Sequence, residues 1–192
     1  GRIYGGWWQN ISREWRTQIT INGTTTTEVD YSALHIVLAY ALTGTDYWAV
    51  HDRDPYILDG RDSDRALRQY AKKILLTALN AKSAASTLKA VKDDIRKDRE
   101  LGKTDWDWMD HRKISDIEVH AKLQIQHAPI QHFLYDQSGV DWHNLDSQIA
   151  MSVLTTLTNQ GIPALSIHDS FIVADHHVPA LYTAMSTALS DA

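Results

Sequence analysis

The chain is 192 residues long, 43% of them apolar, with no cysteine and a formal net charge of −5. That length and apolar content allow one compact core, or a core with a smaller lobe. The absence of cysteine excludes disulfides, Cys-ligated zinc and thiol catalysis and fits a reducing, cytoplasmic setting, and no apolar run reaches the roughly 18–20 residues of a membrane helix.

Taken in chain order, residues 17–30 read as a hairpin. Thr17–Ile21 and Thr24–Val29 are β-prone and flank Asn22-Gly23, a strong two-residue turn signal. The second strand runs into Asp30. A helix is predicted over 32–42, with Leu34, Val37, Leu38 and Ala41 on one face and Gly44 as its stop. Residues 45–62 read as loop, broken by Asp54-Pro55 and Asp59-Gly60. Ser63 is a candidate cap for a helix over 64–80, whose apolar stripe is Leu67, Ala71, Ile74 and Ala78.

A second, basic helix is predicted over 84–99, followed by a polar, Trp-containing loop over 100–112. A helix over 114–135 is expected to break near Pro129. Asp146–Asn159 reads as a helix with Gly161 as its stop. Ala164–Ile167 and Phe171–Val173 then form a second hairpin with His168-Asp169 at its tip, and a last helix runs from Pro179 to about Leu189. No signal peptide is visible. The chain starts on Gly1 rather than Met, which predicts a fragment of a longer chain, and a monomer is expected.

Charge is unevenly spread. Between Arg65 and Arg99 ten Lys or Arg face three Asp, so that segment carries +7 and the remainder −12. A basic lobe on an acidic body suits local contact with phosphates.

Two carboxylates stand out by position. Asp30 ends a strand and Asp169 sits at a hairpin bend, 139 positions later. Phosphoryl transfer is served by two divalent ions about 3.5–4 Å apart that neutralise the reacting oxygens. Mg²⁺ takes hard oxygen ligands, commonly one or two carboxylates completed by phosphates and water. Arg68 and Lys72 are four apart and share one helix face, a pattern that suits a triphosphate. The ten histidines, including His127 with His132 and the pair His176-His177, show no ligand quartet of recognised spacing.

These residues carry a family resemblance. Asp30-Tyr31-Ser32-Ala33-Leu34-His35-Ile36-Val37 is similar to the Asp-Tyr-Ser-Gln-Ile-Glu-Leu-Arg motif of family A DNA polymerases, with Gly44 at the matching place. Arg68 and Lys72 match that family's fingers helix, while Leu76, Asn80 and Ala81 replace its Phe, Tyr and Gly. His168-Asp169-Ser170-Phe171 resembles the His-Asp-Glu hairpin, in a Ser-Phe form like that of phage-type single-subunit RNA polymerases. Gly1-Arg2, Gln9-Asn10-Ile11 and Arg16 resemble the segment ahead of the first motif.

The resemblance implies an α+β fold: an antiparallel palm sheet packed by helices, spanning 1–44 and 113–192, with a mostly helical fingers insertion at 45–112. It implies a DNA-directed polymerase, phage-type in its motif mixture, acting on a DNA primer–template and nucleoside triphosphates. Asp30 and Asp169 would hold two Mg²⁺ ions, or Mn²⁺, with the Tyr31 carbonyl completing one site. Arg68, Lys72, Ser32, His35, Leu76 and Asn80 would line the nucleotide. Arg2, Gln9, Asn10, Arg16 and His168 would touch nucleic acid. Trp7-Trp8 are the best candidates for base stacking. His35 stands where the family has Glu and Asn80 where it has an aromatic, so ribose and deoxyribose both stay open. An RNA polymerase or primase of the same superfamily is one alternative; a catalytically inactive nucleic-acid-binding palm is the other.

Overall fold

The computed structural model describes residues 4–58, 64–111, 113–136 and 139–192. Arg2, Ser63 and Asp59-Gly60, each assigned a role from sequence, lie outside the described residues. The chain divides into two compact units, Gly1–Leu34 with Val140–Ala192, and His35–Gly139.

The first unit carries a four-stranded antiparallel sheet in the order β1-β2-β4-β3. β1 (Thr20–Ile21) and β2 (Thr24–Asp30) are joined by Asn22-Gly23, both at positive φ, as a tight primed turn requires. β3 (Leu165–Ile167) and β4 (Ser170–Ala174) are joined by His168-Asp169. Every residue of β4 is buried, as expected of a strand paired on both edges. Ile19, Ile167 and Ile172 form an apolar cluster, and Trp8, Ile11 and Leu165 pack against it.

A 3-10 turn (Trp7–Asn10) and the short helix α1 (Arg13–Arg16) precede the sheet. Two long helices complete this unit. α7 (Gly139–Asn159) buries Ile149, Val153 and Leu157 at four-residue steps. It begins two turns before the sequence reading placed it. Trp142 and Asp146 are buried and extend the apolar face backwards, and a buried aspartate conceals such a stripe. α8 (Val178–Ser190) packs on β4 through Leu181, Ala184, Met185 and Ala188.

The second unit is helical. α2 (Leu34–Leu42) is buried along most of its length, and Gly44 follows at φ +77°. The region read as loop contains a short helix, α3 (Tyr47–Val50), capped by the Asp46 carboxylate. α4 (Arg65–Ala78) packs against α5 (Ala84–Glu100) and α6 (Asp116–Gln126). Its cap is Asp64, which accepts the Leu67 N–H at 2.8 Å. Asp116 ties the three helices, accepting the Tyr70 hydroxyl from α4 and pairing with Lys92 of α5 at 3.0 Å. The helix expected over 114–135 ends at Gln126, because Pro129 cannot continue the hydrogen-bond ladder. The chain goes on as a 3-10 turn (Ala128–Phe133), after which the Tyr135 N–H closes onto the Ala78 carbonyl at 2.8 Å.

Candidate active site

In the first unit, β2 and β4 pair so that Asp30 stands opposite Ser170, and the Tyr31 N–H reaches the Asp169 carbonyl at 3.4 Å. Strand pairing therefore makes the two candidate aspartates neighbours across one ladder end. Asp30 is exposed and Asp169 half-buried. The flanking backbone is constrained on both sides: Ala33 has φ +56° and His168 φ +55°, a left-handed conformation that costs a non-glycine residue about 1–2 kcal/mol. Tyr31 turns away from this end. Its hydroxyl donates to the Met185 carbonyl at 2.7 Å, its ring meets Phe171 edge-on, and burial pushes the phenol above its ordinary value.

The N-terminal residues assigned to nucleic acid are distributed around the same sheet. Gln9 donates to the Ser166 carbonyl at 2.9 Å, and Trp8 Nε1–H donates to the same oxygen at 3.0 Å. Trp8 is thus an anchor on β3, whereas Trp7 is exposed, edge-on to it. Asn10 and His168 are exposed, and Tyr4 meets His168 edge-on.

Arg16 forms a bidentate pair with Glu28, at 2.9 and 3.0 Å, and donates to the Ile11 carbonyl. Glu28 also accepts the Ser170 hydroxyl at 2.9 Å. Burial pushes the Glu28 carboxyl up, but hydrogen bonds from Arg16 and Ser170 and the charges of Arg16 and Arg13 more than offset it, leaving it below its ordinary value. Glu28 was not among the residues singled out from sequence. Its signal was available: an acid in a Thr-rich strand, two positions before Asp30 and so on the same face.

In the second unit, Arg68 and Lys72 do share one face of α4. The Arg68 guanidinium lies 5.5 Å and the Lys72 ammonium 5.6 Å from the centroid of the buried Tyr56 ring. Arg68 also pairs with Asp54. Leu76 is half-buried. Asn80 is exposed and donates back to the Leu76 carbonyl at 3.0 Å, so its amide is spent on its own helix. His35 is half-buried in the first turn of α2, and Ser32 is exposed ahead of it.

Among the described residues, no three His, Asp or Glu side chains converge as a metal cluster. The Asp30–Asp169 pair offers two carboxylates, which is the donor number and hardness that Mg²⁺ takes when phosphate and water supply the rest. No protein-family model matches the chain, and no curated protein matches it significantly.

Proposed function

We propose that the chain is a template-directed nucleotidyltransferase, similar to family A DNA polymerases, with Asp30 and Asp169 as its metal-holding pair. The observation that carries this reading is the β2–β4 register, which brings an acid at a strand end beside an acid at a hairpin tip, 139 positions away in sequence. Divalent ions held there would supply charge neutralisation on the phosphates and a more acidic 3′-hydroxyl.

The chain's own groups would do the remainder. Arg68 and Lys72 would bind the triphosphate, the first by forked hydrogen bonds and the second as a point charge. Asn10 and His168, both exposed, would orient the primer–template backbone, contacts that position without reading sequence, whereas Gln9 and Arg16, assigned to nucleic acid from sequence, are bonded within the unit to Ser166 and Glu28. In the reaction, the 3′-oxygen forms a bond to the α-phosphorus, the bond to the leaving pyrophosphate breaks, and the hydroxyl proton passes to solvent.

The test is primer extension with Mg²⁺ or Mn²⁺. Asp30→Asn and Asp169→Asn should each lower incorporation by at least about 10²–10³-fold, since an ion of this kind contributes several kcal/mol at about 1.4 kcal/mol per tenfold. Unchanged incorporation in both variants would sink the assignment. Ribonucleotides on primed and unprimed templates, run in parallel, read the RNA polymerase alternative.

A further inference from the structure

Arg68 already has an anion. Asp54 Oδ2 accepts from its Nη2, while Asp54 Oδ1 accepts the Tyr56 N–H at 2.9 Å. The carboxylate is not a loose surface group. Residues on either side of it are held by buried donors. The Tyr47 hydroxyl donates to the Arg53 carbonyl at 3.0 Å. The Pro55 carbonyl accepts from His127 Nε2 at 2.8 Å and from Gln126 Nε2 at 3.0 Å. The Ile57 N–H closes a turn onto the Asp54 carbonyl at 3.1 Å. Five consecutive residues, 53–57, are thereby tied down, and the Asp54 side chain, 21% exposed, is delivered to Arg68 by a hydrogen-bonded loop.

The face above Tyr56 therefore holds two cations, Arg68 and Lys72, and one carboxylate. Lys72 has no carboxylate partner among the described residues. Among the described residues these three groups leave one net positive charge over the ring, and the strongest donor is occupied by a single oxygen anion. A polyphosphate carries more charge and more acceptor oxygens than one carboxylate, so it competes for both cations at once. If Asp54 stayed in place, its charge would repel the incoming phosphate.

We propose that Asp54 is a resident anion on this seat, and that a triphosphate binds by exchanging with it on Arg68. The identity of the polyanion rests on the nucleotidyl-transfer reading; the exchange itself rests on the Asp54–Arg68–Tyr56 geometry. Asp54 is a positioning residue in this scheme. It holds the guanidinium over Tyr56 and must be displaced by any anion that takes its place on Arg68.

The experiment is calorimetric titration of the full chain with inorganic tripolyphosphate at low ionic strength. Asn at position 54 keeps an oxygen for the Tyr56 N–H and removes the charge. Asp54→Asn should bind tripolyphosphate about two- to fivefold more tightly, the scale of a partly exposed ion pair. In an Arg68→Ala background the same substitution should give a clearly smaller gain, because only the relief of charge repulsion at Lys72 remains and no exchange does. Weaker or unchanged binding by Asp54→Asn would overturn the proposal and make Asp54 a buttress, and a gain of undiminished size without Arg68 would overturn it as well. A thermal melt of each variant keeps a folding defect from passing for either result. Primer extension is scored separately. Tighter tripolyphosphate binding in a chain that incorporates no nucleotide would end the polymerase reading and leave the exchange standing.

Discussion

Glu28 carries more of the first unit than any single residue the motifs pointed to. Its carboxylate joins α1, through Arg16, to β4, through Ser170, and Ser170 is the immediate neighbour of Asp169. Both partners are mostly shielded, with 14% of the Arg16 side chain and 21% of the Glu28 side chain exposed. Glu28→Gln removes the charge and leaves Arg16 with an imperfect acceptor, so urea denaturation should show a loss of about 1–3 kcal/mol. The pH dependence follows from the lowered carboxyl. Its contribution is complete above the unfolded value of 4.5 and is lost as pH falls through the lower folded value, because the unfolded chain takes up the proton first. The wild type minus Glu28→Gln stability difference should therefore be flat from pH 7 to 5 and shrink below pH 4.5. A difference that stayed constant to pH 3 would show that the pair is not charge-assisted.

At the level of elements, the loop between α3 and α4 depends on one imidazole. His127 is fully buried at the end of α6. The Pro55 carbonyl can only accept, so Nε2 carries the hydrogen, and Nδ1 is left to accept the Tyr40 hydroxyl at 3.1 Å. That arrangement uses a neutral ring. Burial pushes the imidazole below its ordinary value of 6.5; the Pro55 hydrogen bond pulls it partly back, and the charge of the nearby His51 adds to the lowering. The sign follows: below pH 6.5 the unfolded chain binds a proton that the folded chain refuses, so stability falls as pH drops from there toward the lower folded value. His120, also pushed down by burial, contributes in the same direction. Denaturation at pH 7.5 and 5.5 should show a loss in the wild type that is reduced in His127→Gln; equal losses in both would remove His127 from the account. Strands, turns and most helices were legible because their signals are local: Asn22-Gly23, the β-prone run of β2, and the four-residue stripes of α4 and α7. The ladder neighbouring of Asp30 and Asp169 was legible through motif resemblance. The His127–Pro55 tie and the Asp54–Arg68 pair were not. Each joins polar residues that carry no periodic pattern, and a buried histidine reads in sequence like an exposed one. The extra turns of α7 were hidden for the same reason, by Asp146.

Over the molecule as a whole, the question is how a chain of net charge −5 would hold a polyanion. The run from Arg65 to Arg99 reads as ten free cations in sequence, yet the fold neutralises half of them. Arg68 pairs with Asp54, Lys73 with Asp94, Lys92 with Asp116, Arg96 with Asp93 and Glu100, and Arg99 with Asp110. Arg65, Lys72, Lys82, Lys89 and Lys97 keep no carboxylate partner among the described residues. Four of the pairs reach acids outside the segment, Asp54, Glu100, Asp110 and Asp116, so its +7 overstates the field that phosphates would meet. Binding to duplex DNA should then depend on salt as about five phosphate contacts do, with a slope of log Kobs against log salt near about −4 to −5, at roughly −0.9 per contact. Ten released cations would give about −9. Fluorescence anisotropy of a labelled primer–template between about 50 and 200 mM salt spans enough of the curve to separate the two. A slope steeper than about −7 would mean that the internal pairs open on binding, with Asp54–Arg68 the first to examine. A slope near zero would mean that the basic helices do not touch the nucleic acid. Lys89→Ala with Lys97→Ala should flatten the slope by about two units and leave Asp30- and Asp169-dependent incorporation intact at low salt.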